Sequence, residues 1–303
     1  MTALTDLSDA VARVAASVGP SIVAVGRHAR GAGVVLADGQ VLTNAHNVRG
    51  GEVTITFHDG RSTRGTVAGV DVDGDLAVVA VDTAGATAID WPGDAPSLAL
   101  GSVVFGAAAT TGGTLRVTVG LVSAIERAFR GPGGRRIAGS VEHTAPLAPG
   151  SSGGALVDAE GRFVGLNTNR IGEGFYLAIP ADASLRERVA ALGRGEAPTR
   201  QRLGIAIAPA HVARRLRRSV GLPERAGVLV RGVEDGSLAD RAGIEAGDLI
   251  VSAGGGAIAD GDDLFDALGR LSVPFEVGVV RGADERTVTV GGTRPAGRTP
   301  GDA

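Results

Sequence analysis

The sequence predicts a mainly β protein, two antiparallel barrels followed by a small α+β domain. Many short Val, Ile and Leu runs lie between Gly-containing breaks, which is the pattern of strands and not of amphipathic helices. Glycine accounts for 49 of 303 residues and aromatics for only 3%. The apolar runs also fall into two successive groups of about six, with turn signals such as Asp38-Gly39, Asp59-Gly60 and Asp73-Gly74 in the first group. Such turns close hairpins, so each group reads as an antiparallel barrel and not as a βαβ sheet.

Residues 7–18 place apolar side chains at helical spacing after Ser8 or Asp9, either of which can cap a helix, and predict a short first helix. From Ser21 the period changes. Strands are expected at 21–25, 33–36, 41–43, 53–57, 65–70 and 76–81, then at 103–107, 116–125, 137–143, 155–158, 163–168 and 176–179. Residues 182–192 read as a helix ending at Gly193. The polar stretch 193–201 has no periodicity and marks a boundary. The expected division is therefore a first domain over 1–195, a linker over 196–201 and a second domain over 202–292. In the second domain, strands at 203–207, 227–233, 248–252, 275–280 and 286–290 alternate with helices at 210–219 and 262–271. Residues 293–303 are expected to be a disordered tail. No internal repeat is visible.

Composition narrows the chemistry. A net charge of −3 gives no global electrostatic case for nucleic acid or a membrane surface. The run Arg214, Arg215, Arg217, Arg218 reads as a solvated helix face, because binding single-stranded nucleic acid would require stacking aromatics beside it. There is no Cys, which removes disulfides and thiolate chemistry. No His/Asp/Glu cluster has metal-ligand spacing and no phosphate-binding loop follows a strand, so neither a metal nor a cofactor is expected. No segment offers the ~20 apolar residues of a spanning helix. The first residues lack a basic, apolar leader. A cytoplasmic location is thus the default expectation for the sequence as it stands, unless an export segment has been trimmed from it.

Gly150-Ser151-Ser152-Gly153-Gly154 would, taken alone, read as a flexible linker. Its neighbours argue otherwise, since Ala155-Leu156-Val157 and Phe163-Val164-Gly165-Leu166 follow it closely as strands. A rigid glycine turn between strands presents a hydroxyl together with unpaired N–H groups, which is what an acyl-transfer site requires. A serine nucleophile needs a base, and the base needs a carboxylate. His46 stands where an apolar strand ends and a turn begins. His28, His58 and His211 read as solvated, whereas His143, nine positions before Ser152, is a rival base with no evident carboxylate partner. Asp71 and Asp73 read as hairpin turn residues. Asp75 opens the next apolar strand and must find a hydrogen-bond partner if carried inward.

Thr43-Asn44-Ala45-His46, Asp75-Leu76-Ala77-Val78 and Gly150-Ser151-Ser152-Gly153-Gly154 resemble, in order and separation, the three motifs of HtrA-type trypsin-like serine proteases. Gly120-Leu121-Val122-Ser123-Ala124 and Gly174 to Pro180 are similar to further segments of that family. The resemblance implies a trypsin-like double antiparallel β-barrel followed by a small α+β PDZ domain. It implies catalysis by Ser152 as nucleophile, His46 as base and then acid, and Asp75 as the orienting carboxylate, with an oxyanion hole at the N–H groups of Gly150 and Ser152. Departures lie in the approach to the nucleophile: Ser151 replaces the family's Asn, Thr144 replaces an Asp, and Pro146 is added. Leu147 and Leu177 are expected to flank the S1 pocket and to favour small or medium apolar P1 residues.

Ser237 to Ile250 resembles the PDZ domain of the same family, with Leu238 in place of the usual Pro. The resemblance implies that Arg202-Leu203-Gly204-Ile205 binds a peptide's C-terminal carboxylate and pairs with the peptide by β-augmentation. Leu264, Leu268 and Leu271 on the following helix are candidate pocket residues, with plain core packing the competing reading. The implied partners are unfolded or exposed polypeptide substrates and peptide C-termini. A homotrimer is left open, because residues 1–20 contain no aromatic of the kind the family uses there. The expected activity is an ATP-independent endopeptidase, and the alternative is a proteolytically silent binding or chaperone-like protein.

Overall fold

In the computed structural model the described residues are 3–37, 39–93, 98–131, 136–172, 174–196, 202–219, 221–222 and 225–292. The expected linker, apart from Glu196, and the expected tail lie outside them. The protein divides into two compact units, Met1–Pro198 and Thr199–Ala303.

The first unit opens with α1 (Ala3–Val18). It starts earlier than Ser8 or Asp9 would set it: Ser8 lies inside the helix, where its hydroxyl donates to the Leu4 carbonyl at 3.0 Å. Val14 and Val18 are buried and anchor the helix to the barrels. The first barrel contains β1 (Ile22–Val25), β2 (Gly31–Leu36), β3 (Gln40–Thr43), β4 (Glu52–Thr56), β5 (Ser62–Asp71) and β6 (Leu76–Ala80). It closes in the order β1-β2-β3-β6-β5-β4. The second barrel contains β7 (Val103–Ala109), β8 (Leu115–Arg130), β9 (Arg136–His143), β10 (Ala155–Val157), β11 (Phe163–Arg170) and β12 (Tyr176–Pro180). It closes in the order β10-β11-β12-β9-β8-β7. Every pairing in both barrels is antiparallel. Closure leaves no free sheet edge.

Strand side chains alternate between two cores, as a period of two requires. Ile22, Val34, Leu42 and Val78 join Phe105, Phe163 and Leu166 of the second barrel in one continuous core. Their neighbours Val23, Val35, Val41 and Val79 pack with Ile55 and Phe57 on the opposite face. With both faces covered, such strands read as unbroken apolar runs and not as alternation. Helix α2 (Ala183–Gly193) is capped by Asp182, which accepts the Leu185 N–H, and buries Leu185, Val189 and Leu192 against the shared core. Asp71, expected to be a plain turn residue, instead ends β5 buried. It accepts the Gly74 N–H and pairs with Arg188 of α2 at 2.8 Å.

The second unit contains β13 (Ile205–Ile207), α3 (Ala210–Ser219), β14 (Val228–Val233), α4 (Leu238–Ala242), β15 (Leu249–Ala253), β16 (Gly256–Ala257), α5 (Gly261–Arg270), β17 (Phe275–Arg281) and β18 (Asp284–Val290). The sheet runs β13-β14-β15-β17-β18, with β16 paired to β15. Helix α4 has a Ser237 cap and a left-handed Gly243 at its end. Asp248, fully buried, is held by a bidentate bond from Arg281 at 2.7 and 2.8 Å. Burial alone would raise its pKa, but the Arg281 and Glu245 hydrogen bonds bring it below the ordinary aspartate value.

Candidate active site

Each of the three polar side chains singled out in the first unit lies in a turn that adjoins a strand. Strand β3 is buried to Thr43, whose hydroxyl donates to the Ala32 carbonyl at 2.6 Å. Asn44 continues extended, and a 3₁₀ turn over Ala45–Asn47 then brings His46 out to 36% exposure. Asp75 is the last residue before β6 and is 1% exposed. Its φ of +54° lies in the left-handed region that a non-glycine residue adopts only when its surroundings impose it. Here the Asn44 side-chain amide donates to the Asp75 carbonyl at 2.9 Å and fixes the turn.

The buried carboxylate is satisfied by identified donors. His46 Nδ1 lies 2.9 and 3.0 Å from the two Asp75 oxygens, and the His46 backbone N–H donates to Oδ1 at 3.2 Å. Thr168 Oγ1 donates to Oδ2 at 2.7 Å. With Nδ1–H committed to the carboxylate, His46 Nε2 is left as the acceptor, the tautomer a general base needs.

The Gly150–Gly154 segment is a clamped turn. The Ser152 carbonyl accepts from Ala32 N at 2.8 Å and from the Asn47 amide at 2.8 Å, and Gly153 N donates to the Asn167 carbonyl at 2.7 Å. Gly153, at φ +86°, has no alternative, since a Cβ there would overlap the Ala32 carbonyl and Thr43 Oγ1. Among the described residues, the N–H groups of Gly150 and Ser152 have no partner within the protein. The Ser152 hydroxyl donates to the Thr168 carbonyl at 2.7 Å and makes no hydrogen bond to His46. Both side chains nevertheless line one cleft of about 450 Å³, together with Asp75, Leu147, Phe129, Arg130, Thr168, Arg170 and Tyr176.

The rival His143 is excluded from this cleft. It is fully buried, bonds Asn167 Oδ1 at 3.0 Å and stacks on Tyr176 at 5.9 Å. Burial pushes its imidazole down to about 4, against partial upward pulls from the Asn167 bond and the Glu142 charge. Leu147 lines the cleft, but Leu177 does not: it lies at 0% exposure in a cluster with Phe129 and Ile137. In the altered approach loop, the Thr144 hydroxyl accepts the Leu121 N–H at 3.0 Å, and Thr144 N donates to the Leu121 carbonyl at 3.0 Å.

Comparison with known proteins shows the family. Residues 31–166 match the trypsin-like peptidase domain and residues 229–281 match the PDZ domain. A putative serine protease, HhoA, of Synechocystis is 32% identical over 275 residues, covering 86% of this chain and 70% of that protein. This protein belongs to the HtrA family of trypsin-like serine proteases. A probable periplasmic DegP-like serine endoprotease of Halomonas elongata is 31% identical, with 87% of this chain and 56% of that protein covered. HhoB of Synechocystis is 31% identical, with 86% and 65% covered. The sequence thus spans less than two thirds of the length of these last two relatives. Among solved structures, the HtrA-type protease AlgW with a decapeptide shares the fold at a TM-score of 0.74 and 24% identity, with 92% and 97% of the two proteins covered. AlgW with a tripeptide gives 0.66 and 28%, with 92% and 95% covered.

In the PDZ unit the Arg202–Ile205 segment leads into β13, an edge strand that among the described residues pairs with β14 alone. Arg202 is exposed, while Leu203 is 2% exposed and in the core. The Leu203 and Gly204 carbonyls accept from Ala239 N and Glu234 N, and among the described residues their own N–H groups have no partner within the protein. Gly204 has φ +75°, and a Cβ there would strike Ser237. Leu264 and Leu268 are 4% and 7% exposed and pack with Ile244, Ile250 and Val277, so core packing is what holds them. Leu271 is half-buried against the same core. The large apolar side chains that β13 and α5 leave exposed are Ile207 and Phe265.

Sequence reasoning did not find Thr168, Asn47 or Asn44. Each makes a side-chain hydrogen bond to a residue distant in sequence, and none carries a distinctive residue type.

Proposed function

We propose that the protein is a serine endopeptidase that cleaves exposed or unfolded polypeptide through an acyl-enzyme at Ser152. The observation that carries this reading is the buried Asp75 carboxylate holding His46 Nδ1 at 2.9 Å in the cleft that Ser152 also lines. For catalysis the Ser152 hydroxyl leaves the Thr168 carbonyl and turns about χ1 toward His46 Nε2. In that rotamer the hydroxyl gives its proton to His46 as it attacks the peptide carbonyl. The unpartnered N–H groups of Gly150 and Ser152 receive the developing oxyanion. His46 then protonates the leaving amine, and Asp75 offsets the imidazolium charge. Water repeats the sequence to release the acid.

Leu147, Phe129 and Tyr176 give the cleft apolar walls, while Arg130 and Arg170 oppose a cationic side chain. Small or medium apolar P1 residues fit that lining, and a cleavage profile dominated by Arg or Lys would refute it. The PDZ unit tethers or regulates by binding peptide C-termini at the unpartnered Leu203 and Gly204 N–H groups and along the β13 edge. Casein hydrolysis by the wild-type protein beside Ser152→Ala tests the reading. Degradation that Ser152→Ala abolishes supports it, and equal degradation by both contradicts it.

A further inference from the structure

The first unit has a second cleft, about 310 Å³, lined by Arg27, Arg30, Asn47, Arg49, Glu52 and Arg64 among others. Four arginines line it in a protein whose net charge is −3. The single carboxylate among them, Glu52, is engaged by Arg64 at 3.1 Å. Among the described residues Arg27, Arg30 and Arg49 have no ion-pair partner, and all three are exposed. Three adjacent like charges lining one cleft raise a positive potential there that concentrates anionic groups.

This cleft is joined to the nucleophile. Asn47, which lines it, donates to the Ser152 carbonyl at 2.8 Å, and Ala32 N, two residues beyond Arg30, donates to the same oxygen at 2.8 Å. A Cβ on Gly150 would lie 2.8 Å from the Ala29 carbonyl, so the Arg27–Arg30 loop abuts the proposed oxyanion hole. That loop is sharply bent, with His28 at φ 62° and Ala29 at φ 49°. The direction of the substrate follows from the chemistry. The leaving amine takes its proton from His46, so the substrate segment following the scissile bond departs on the His46 side. Asn47 and Arg49 follow His46 by one and three positions, whereas the acyl half faces Leu147, Phe129 and Tyr176 in the other cleft.

We infer that Arg27, Arg30 and Arg49 form a subsite for acidic side chains just C-terminal to the scissile bond, so that Asp- or Glu-bearing polypeptides are selected. This rests on the Ser152-centred reading above. Nucleic acid fits the cleft less well, because its lining offers no aromatic to stack a base.

The test uses the full-length protein as Ser152→Ala and two labelled peptides identical up to the scissile bond. Downstream, one peptide carries Asp and Glu and the other carries Asn and Gln. Both are amidated at the C-terminus so that a carboxylate-binding groove cannot hold them. Fluorescence anisotropy is expected to show about tenfold tighter binding of the acidic peptide, a few-fold from each partly exposed pair. The advantage should vanish near ~1 M salt, where the Debye length is about 3 Å, and in the triple variant Arg27→Gln, Arg30→Gln, Arg49→Gln. Reversing charge with Arg49→Glu should shift preference toward a Lys-bearing peptide. Equal affinity for the acidic and neutral peptides, an advantage that survives the triple substitution, or tighter binding of an equally charged oligonucleotide would overturn the inference. Fluorophosphonate labelling of the wild-type protein separates the two claims: its absence counts against Ser152 as nucleophile, while the anisotropy comparison still decides the subsite.

Discussion

Thr168→Val removes one hydroxyl from beneath the Asp75 carboxylate and changes little else. Thr168 is 5% exposed on β11, and Val keeps the volume and the β-branch that the strand favours. What is lost is the 2.7 Å bond to Asp75 Oδ2, one of the few donors available to a carboxylate that is 1% exposed. A hydrogen bond to a charged group contributes about 1.5–3 kcal/mol. If that support is realised as His46 becomes an imidazolium, kcat/KM falls about 10- to 150-fold at about 1.4 kcal/mol per decade. The Thr168 carbonyl, which accepts from Ser152, is untouched by the substitution. The assay is kcat/KM on a fluorogenic peptide, with Trp91 fluorescence reporting the fold. Trp91 is the one tryptophan of the sequence and packs on Phe163 within the protease unit. Thr168→Ser should recover most of the lost activity. A Val variant within about twofold of wild type would refute the coupling between Thr168 and Asp75.

Asp75→Asn should reduce turnover by about 10⁴-fold, because the amide selects the wrong His46 tautomer; near-normal proteolysis would show that Asp75 is wrongly assigned. His143 should make the protease unit acid-sensitive. Its imidazole is held neutral, depressed from 6.5 to about 4. The stabilisation is therefore complete above pH 6.5 and drains away as pH falls toward and through 4, a loss of about 3 kcal/mol. Urea unfolding followed at Trp91 should show the stability difference between wild type and His143→Gln shrinking over that window; a difference independent of pH would contradict it. Arg281→Ala strands the buried Asp248 carboxylate and should destabilise the PDZ unit by about 3–5 kcal/mol. Calorimetry should then show a lowered PDZ transition with the Trp91 transition unmoved, and an unchanged PDZ transition would contradict this.

The barrels were legible in the sequence because both faces of their strands are buried, which leaves apolar runs between glycine turns. The triad candidates were legible because a base and a carboxylate stood next to strand ends and a nucleophile stood in a glycine turn between strands, each within a distinctive motif. The start of α1 was misplaced: Ser8 has the chemistry of a cap but satisfies its hydroxyl inside the helix on the Leu4 carbonyl. Helix α4, of five residues, is too short to display a period. The PDZ leucines show the limit of helical spacing as evidence, since a core face and a pocket face have the same repeat. Thr168, Asn47 and Asn44 acquire their roles only when barrel closure brings residues 93, 105 and 31 positions apart into contact. Nothing local in the sequence distinguishes Thr168 or Asn47 from other polar strand and turn residues, and Asn44 is visible only as part of the Thr43–His46 motif.

Covalent trapping probes the central claim most directly. Treating the intact protein with a fluorophosphonate and locating the adduct by mass spectrometry should find one modified site, the Ser152 hydroxyl. Labelling should slow sharply in His46→Ala. Casein hydrolysis continuing without any adduct at Ser152, or an adduct that forms equally fast when His46 is gone, would contradict the account.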